Sequence, residues 1–143
     1  MAFKIYKNDV ADIPAYEYLP CDDITVKTGD ALVLSSGHLV LATGTVRPQY
    51  LSMKSTTVPT DGTKIPVIRI TESMELECPL SAASASIAIG TKYTISATAD
   101  SITATSDGGT ATVISFDGKN QGDLVRVRFL EPAVIIEEED DNV

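Results

Sequence analysis

Three sets of residues carry groups able to do chemistry: the lone imidazole, His38, with the two thiols Cys21 and Cys78; the carboxylates Glu72, Glu75 and Glu77 of "ITESMELE"; and the loop "DGKNQGD" at 117–123. A Ser-His-acid triad needs its nucleophile on a strained G-x-S-x-G elbow, and the chain has none. His38 directly follows Gly37, as a turn or strand-edge histidine does. A zinc site draws on closely spaced Cys and His pairs; His38, Cys21 and Cys78 stand far apart in the chain. The 117–123 loop has glycine sixth, as a calcium loop does, but Lys119 fills the third place, where an oxygen ligand is required. "TDGTK" and "IGTK" leave the phosphate loop G-x-x-x-x-G-K-[ST] incomplete. On a strand Glu75 and Glu77 share a face opposite Met74, Leu76 and Cys78, the pattern of a solvated face. The residues thus offer no catalytic group, no cofactor motif and no metal site, and the expectation is a non-enzyme without cofactors.

The elements that would position any site are strands. Short runs alternate with period two: "ALVLSS", "HLVLA", "PVIRITE", "MELEC", "KYTISA", "ATVIS" and "LVRVRFL". All nine glycines fall between these runs, as punctuation. In "LVRVRFL", Val125, Val127 and Phe129 point one way and Arg126 and Arg128 the other. The expected fold is all-β, a small β-barrel or β-sandwich of about 8–10 short antiparallel strands with at most one short helix, for which residues 79–90, "PLSAASASIAIG", are the candidate. "VKTGDALVLSSGHLVLATGT" at 26–45 reads as a hairpin turning at Ser-Ser-Gly. Pro66 should begin a strand or lie on an edge, since it donates no ladder hydrogen bond. Residues 55–64, "STTVPTDGTK", read as an exposed loop with a turn at Asp61-Gly62.

With 143 residues, one domain around one core is expected. Tryptophan is absent and aromatics make up 6%, so stacking platforms for sugars or bases are scarce. The net charge is −9, and residues 137–141 hold five of the twenty acids. Bases are scattered, which disfavours nucleic acid and anionic membrane as partners. No run approaches the ~20 apolar residues of a membrane span, and the first residues lack a signal-peptide core, so synthesis in a cytoplasm and free thiols are expected. Residues 1–20 divide off as an N-terminal arm, with Phe3, Ile5, Tyr6, Tyr16 and Tyr18 as contact candidates; a first strand of the same domain fits that composition equally. Residues 21–136 form the β-domain, with 133–136 as its last strand or a docking segment, and 137–143 an acidic, disordered tail.

The order of pieces, "DDITVKTGDALVLSSGHLVLA", "IPVIRITESMELEC", "IGTKYTIS", "SITATSDGGTATVIS" and "GDLVRVRFL", resembles the capsid-decoration proteins of tailed bacteriophages, also called head auxiliary or cement proteins, over about residues 22–130. The resemblance implies a compact β-protein, often a homotrimer, on the outer surface of the virion, clamping major capsid protein subunits and stabilising the shell. It carries over no catalytic residue. The arm of such proteins often contacts the capsid and corresponds here to part of residues 1–20. The alternatives are another phage structural component, such as a head-fibre base, tail or baseplate β-domain, and a carbohydrate-binding module.

Overall fold

A computed structural model describes residues 2–8 and 15–130. Twelve strands run in chain order: β1 Lys4–Asn8, β2 Glu17–Cys21, β3 Thr25–Val26, β4 Ala31–Ser35, β5 His38–Leu41, β6 Tyr50–Ser52, β7 Thr56–Thr57, β8 Thr63–Arg69, β9 Met74–Pro79, β10 Lys92–Tyr93, β11 Ala111–Phe116 and β12 Leu124–Arg128. No helix forms among the described residues, and therefore none long and apolar enough to cross a membrane. The strands build a closed barrel, β2-β5-β4-β6-β8, a five-stranded sheet ordered β1-β9-β12-β11-β10, and a small β3-β7 pair. The all-β expectation holds, and of its two forms the barrel is present.

Alternation explains how the two larger sheets pack. On β4, Leu32 points into the barrel while Ala31 and Val33 point out; on β6, Tyr50 points in and Leu51 out; on β8, Ile65 and Val67 point in and Ile68 out. The inward set, with Cys21, Val26, Leu39 and Val58, fills the barrel. The outward set meets Leu76, Cys78, Val113, Val125, Val127 and Phe129 from the five-stranded sheet. The single expected core is thus two, because barrel strands bury both faces where a second sheet covers them.

The hairpin of 26–45 is β4-β5, in register from Leu32↔Leu41 to Ser35↔His38. Ser36 and Gly37 turn it with φ of 51° and 81°, the left-handed pair that a two-residue hairpin loop requires. The loop at 117–123 likewise joins β11 to β12, with the Asn120 N–H donating to the Asp123 carboxylate at 3.0 Å. Cys21 and Cys78 are free, as expected, and both are buried.

Other expectations are corrected. Barrel closure is parallel: β2 meets β5 through the one pair Cys21↔Leu39, and the Asp22 N–H continues it to the Leu39 carbonyl at 3.1 Å. The expectation of at most one short helix stands, with none formed: in residues 79–90 the N–H groups find partners elsewhere, Leu80 on Asp123, Ser81 on Ile102 and Ser84 on Lys119. Pro66 sits inside β8; its carbonyl faces β6, accepting from the Met53 N–H, and β6 enters register with β8 only from Val67. A missing N–H on that side breaks no ladder bond. Residues 55–64 are not all exposed loop: they include β7, Val58 is buried, and the expected turn at Asp61-Gly62 is present, with Gly62 at φ 92°.

Residues 4–8 and 17–21 take the strand alternative. β1 pairs with β9 from Lys4↔Glu77 to Asn8↔Met74, and β2 pairs with β8 from Glu17↔Val67 to Cys21↔Thr63. Gly29 makes the approach of residues 2–3 to the barrel possible: its φ is 92°, a Cβ there would meet the Phe3 carbonyl, and the Phe3 N–H donates to the Gly29 carbonyl at 3.1 Å. The expected strand or docking segment at 133–136 and the tail at 137–143 lie outside the described residues.

Candidate binding surface

Of the five contact candidates, Phe3 is corrected outright. It is 2% exposed and packs edge-on against Phe129, ring centroids 5.6 Å apart, so it belongs to the core. Ile5 is half-buried against that core. Tyr6, Tyr16 and Tyr18 are 53%, 57% and 62% exposed. Tyr16 and Ile5 line an apolar groove of about 320 Å³ whose floor is Phe3, Leu51, Met53 and Ile68. Tyr6 follows Ile5 on β1 and lies under the Arg126 guanidinium, 4.8 Å from ring centroid to charge. Tyr18 stands on β2 opposite Pro66.

A larger groove of about 460 Å³, lined by Arg47, Gln49, Arg69, Ile70, Thr71 and Glu72, is polar. Both of its arginines are engaged. Arg47 donates to the Phe129 and Leu130 carbonyls at 2.8 and 3.1 Å, while Arg69 pairs with Glu17 and lies over Tyr50. That arrangement braces the chain, Arg47 tying the β6 approach to the end of β12 and Arg69 tying β8 to β2.

The Glu75–Glu77 face is corrected too: it is not solvated. β9 lies beside β12 with Glu77 opposite Arg126, so carboxylates and guanidiniums that read separately as surface charges become neighbours. Arg126 donates from Nε to Glu77 at 3.0 Å and from its terminal nitrogens to Asp117 at 2.7 and 3.2 Å. The Asp117 carboxylate holds the Arg126 guanidinium above its ordinary pKa. Lys4 closes on Glu77 from β1 at 3.2 Å, and Arg128 donates to Glu75 at 3.1 Å. Both carboxylates are thus committed to arginines, Glu77 to Arg126 and Glu75 to Arg128.

His38 has partners that its neighbours in sequence do not announce. Its Nδ1 lies 3.1 Å from Asp61 Oδ1 and 3.2 Å from Asp22 Oδ1. Hydrogen bonds to Asp61 and Asp22 raise its pKa above the ordinary imidazole value. Burial, helped by the same two aspartates, pushes the Cys21 thiol up to about 11, and burial raises Cys78 further, so neither is a thiolate nucleophile at neutral pH. The Asp22–His38–Asp61 group escapes sequence reasoning because its members come from the end of β2, the start of β5 and the β7–β8 turn. The Glu–Arg pairs left a trace, the complementary alternations "MELEC" and "RVR".

Comparison with protein-family models, with curated proteins and with solved structures finds no match.

Proposed function

We propose that the chain is a structural decoration protein of a tailed-phage capsid, a homotrimer that binds the major capsid protein on the outside of the shell and stabilises it. The observation that carries this reading is the exposed aromatic and apolar surface built by the N-terminal strands, where Tyr16 and Ile5 border an apolar groove. Tyrosine supplies large contact area at low entropic cost, and a groove with an apolar floor gives a partner side chain somewhere to bury. The order of strands and glycine turns that resembles the decoration family supports the same reading, as does a rigid scaffold whose barrel presents no open edge. The net negative charge suits a protein displayed in many copies on a particle that must stay dispersed.

The test is co-sedimentation with expanded and unexpanded heads of the phage that encodes the chain, scored by negative-stain microscopy. Added protein should decorate expanded heads only, and light scattering should give a trimer. Tyr16→Ser should weaken decoration while leaving the β circular-dichroism spectrum unchanged. Absence of binding to any head preparation refutes the reading, and recovery with purified tails moves the chain to another virion component.

A further inference from the structure

We propose that Asp22, His38 and Asp61 form a binding site for a divalent transition cation, zinc or manganese, that clips the closing seam of the barrel. One ligand atom from each residue lies within 4.8 Å of the others. With metal–ligand bonds of about 2.1 Å, Nδ1-to-carboxylate separations of 3.1 and 3.2 Å subtend about 97° at a shared ion, between octahedral and tetrahedral angles. A proton on Nδ1 serves the same arrangement poorly, since one N–H aims well at one acceptor at a time. An ion bound among the three ligand atoms would draw on all of them.

The donor set narrows the ion. One imidazole with two carboxylates suits zinc or manganese, whereas calcium and magnesium prefer oxygen ligands alone. The side chains are 34%, 40% and 58% exposed for His38, Asp22 and Asp61, so an ion reaches the site from solvent and water completes its shell.

Main-chain bonds hold the three segments in place independently of any ion. The Asp22 N–H donates to the Leu39 carbonyl at 3.1 Å, and the Gly62 N–H donates to the Cys21 carbonyl at 2.8 Å. Gly62 also lies against the imidazole: a Cβ there would stand 3.7 Å from Cε1 and 3.8 Å from Nε2. The location gives the ion a role. The barrel closes on one parallel pair, Cys21↔Leu39, and Asp22 and His38 are the chain neighbours of that pair. Binding should therefore stiffen the weakest joint of the barrel. The proposal is independent of the capsid reading and is tested on the isolated, tag-free chain.

The chain has a single histidine, so its ring nitrogens give unique NMR signals. Added Zn²⁺ should shift the Nδ1 resonance, and Mn²⁺ should broaden the amides of residues 21–23, 38–39 and 60–63 selectively. At Zn²⁺ one hundred times above Kd the Tm should rise by about 8 °C. Asp61→Ala should fold without metal and bind Zn²⁺ at least about tenfold more weakly. Unmoved ring signals, broadening confined to other residues, or undiminished Zn²⁺ binding by the variant would overturn the site. Should the variant fail to fold, the wild-type ring shift and the broadening map decide alone.

Discussion

Phe3→Ala distinguishes a chain whose first residues belong to the fold from one whose first residues are a detachable arm. Phe3 is 2% exposed, its ring meets Phe129 edge-on at 5.6 Å, and its N–H is bonded to Gly29. Truncating a buried phenylalanine costs about 3–5 kcal/mol, with the lower figure where the surroundings can relax into the space. Phe3 borders the apolar groove and stands beside the β1 edge of its sheet, so about 3 kcal/mol is expected. For a chain near this length that lowers Tm by about 6–12 °C. The assay is equilibrium urea unfolding followed by far-UV circular dichroism, with Tyr6→Ser as the comparison. Tyr6 lies on β1 with its ring exposed, and its contact with Arg126 is worth about 0.5–1 kcal/mol. A double-mutant cycle with Phe3→Leu and Phe129→Leu should return a coupling of about 0.5–1.5 kcal/mol for the ring pair. A Phe3→Ala loss under about 1 kcal/mol with an unchanged m-value would refute the argument and restore the arm.

Two further perturbations probe the charges. Glu77→Gln should cost about 2–3 kcal/mol, since it removes one of the two carboxylates paired with the nearly buried Arg126, whereas Lys4→Gln should stay within about 0.5 kcal/mol because the lysine is mostly exposed; equal costs in thermal melts would disprove the cross-strand account. Asp30 is buried, its Oδ2 accepts the Lys27 N–H at 2.9 Å, and its Oδ1 has no partner among the described residues. Burial raises its folded pKa above the ordinary carboxylate value. The folded state then holds a proton that the unfolded state releases, so this group's contribution is complete below the unfolded pKa and is lost as pH rises through the folded one. Asp30→Asn should remove that fall, so the wild-type-minus-variant stability should decline as pH rises from about 4 toward neutrality. A flat difference would show that the carboxyl titrates normally.

Period-two alternation and glycine punctuation dictated the strands, the turn at Ser36-Gly37, the β11–β12 loop and the core-facing set Val125, Val127 and Phe129, because each depends on neighbours within a few residues of the chain. Tertiary structure alone decided the rest. Whether "MELEC" and "LVRVRFL" show their charges to water or to each other depends on β9 lying beside β12, a pairing 49 residues distant that no local period encodes. Phe3 reads as an arm residue until β1 docks on β9. Asp22, His38 and Asp61 are separated by 16 and 23 residues, and only the parallel closure of β2 on β5, with the β7–β8 turn bonded back to Cys21, brings them to one point. Short-range sterics and burial set the strands; the register between distant strands set the sites.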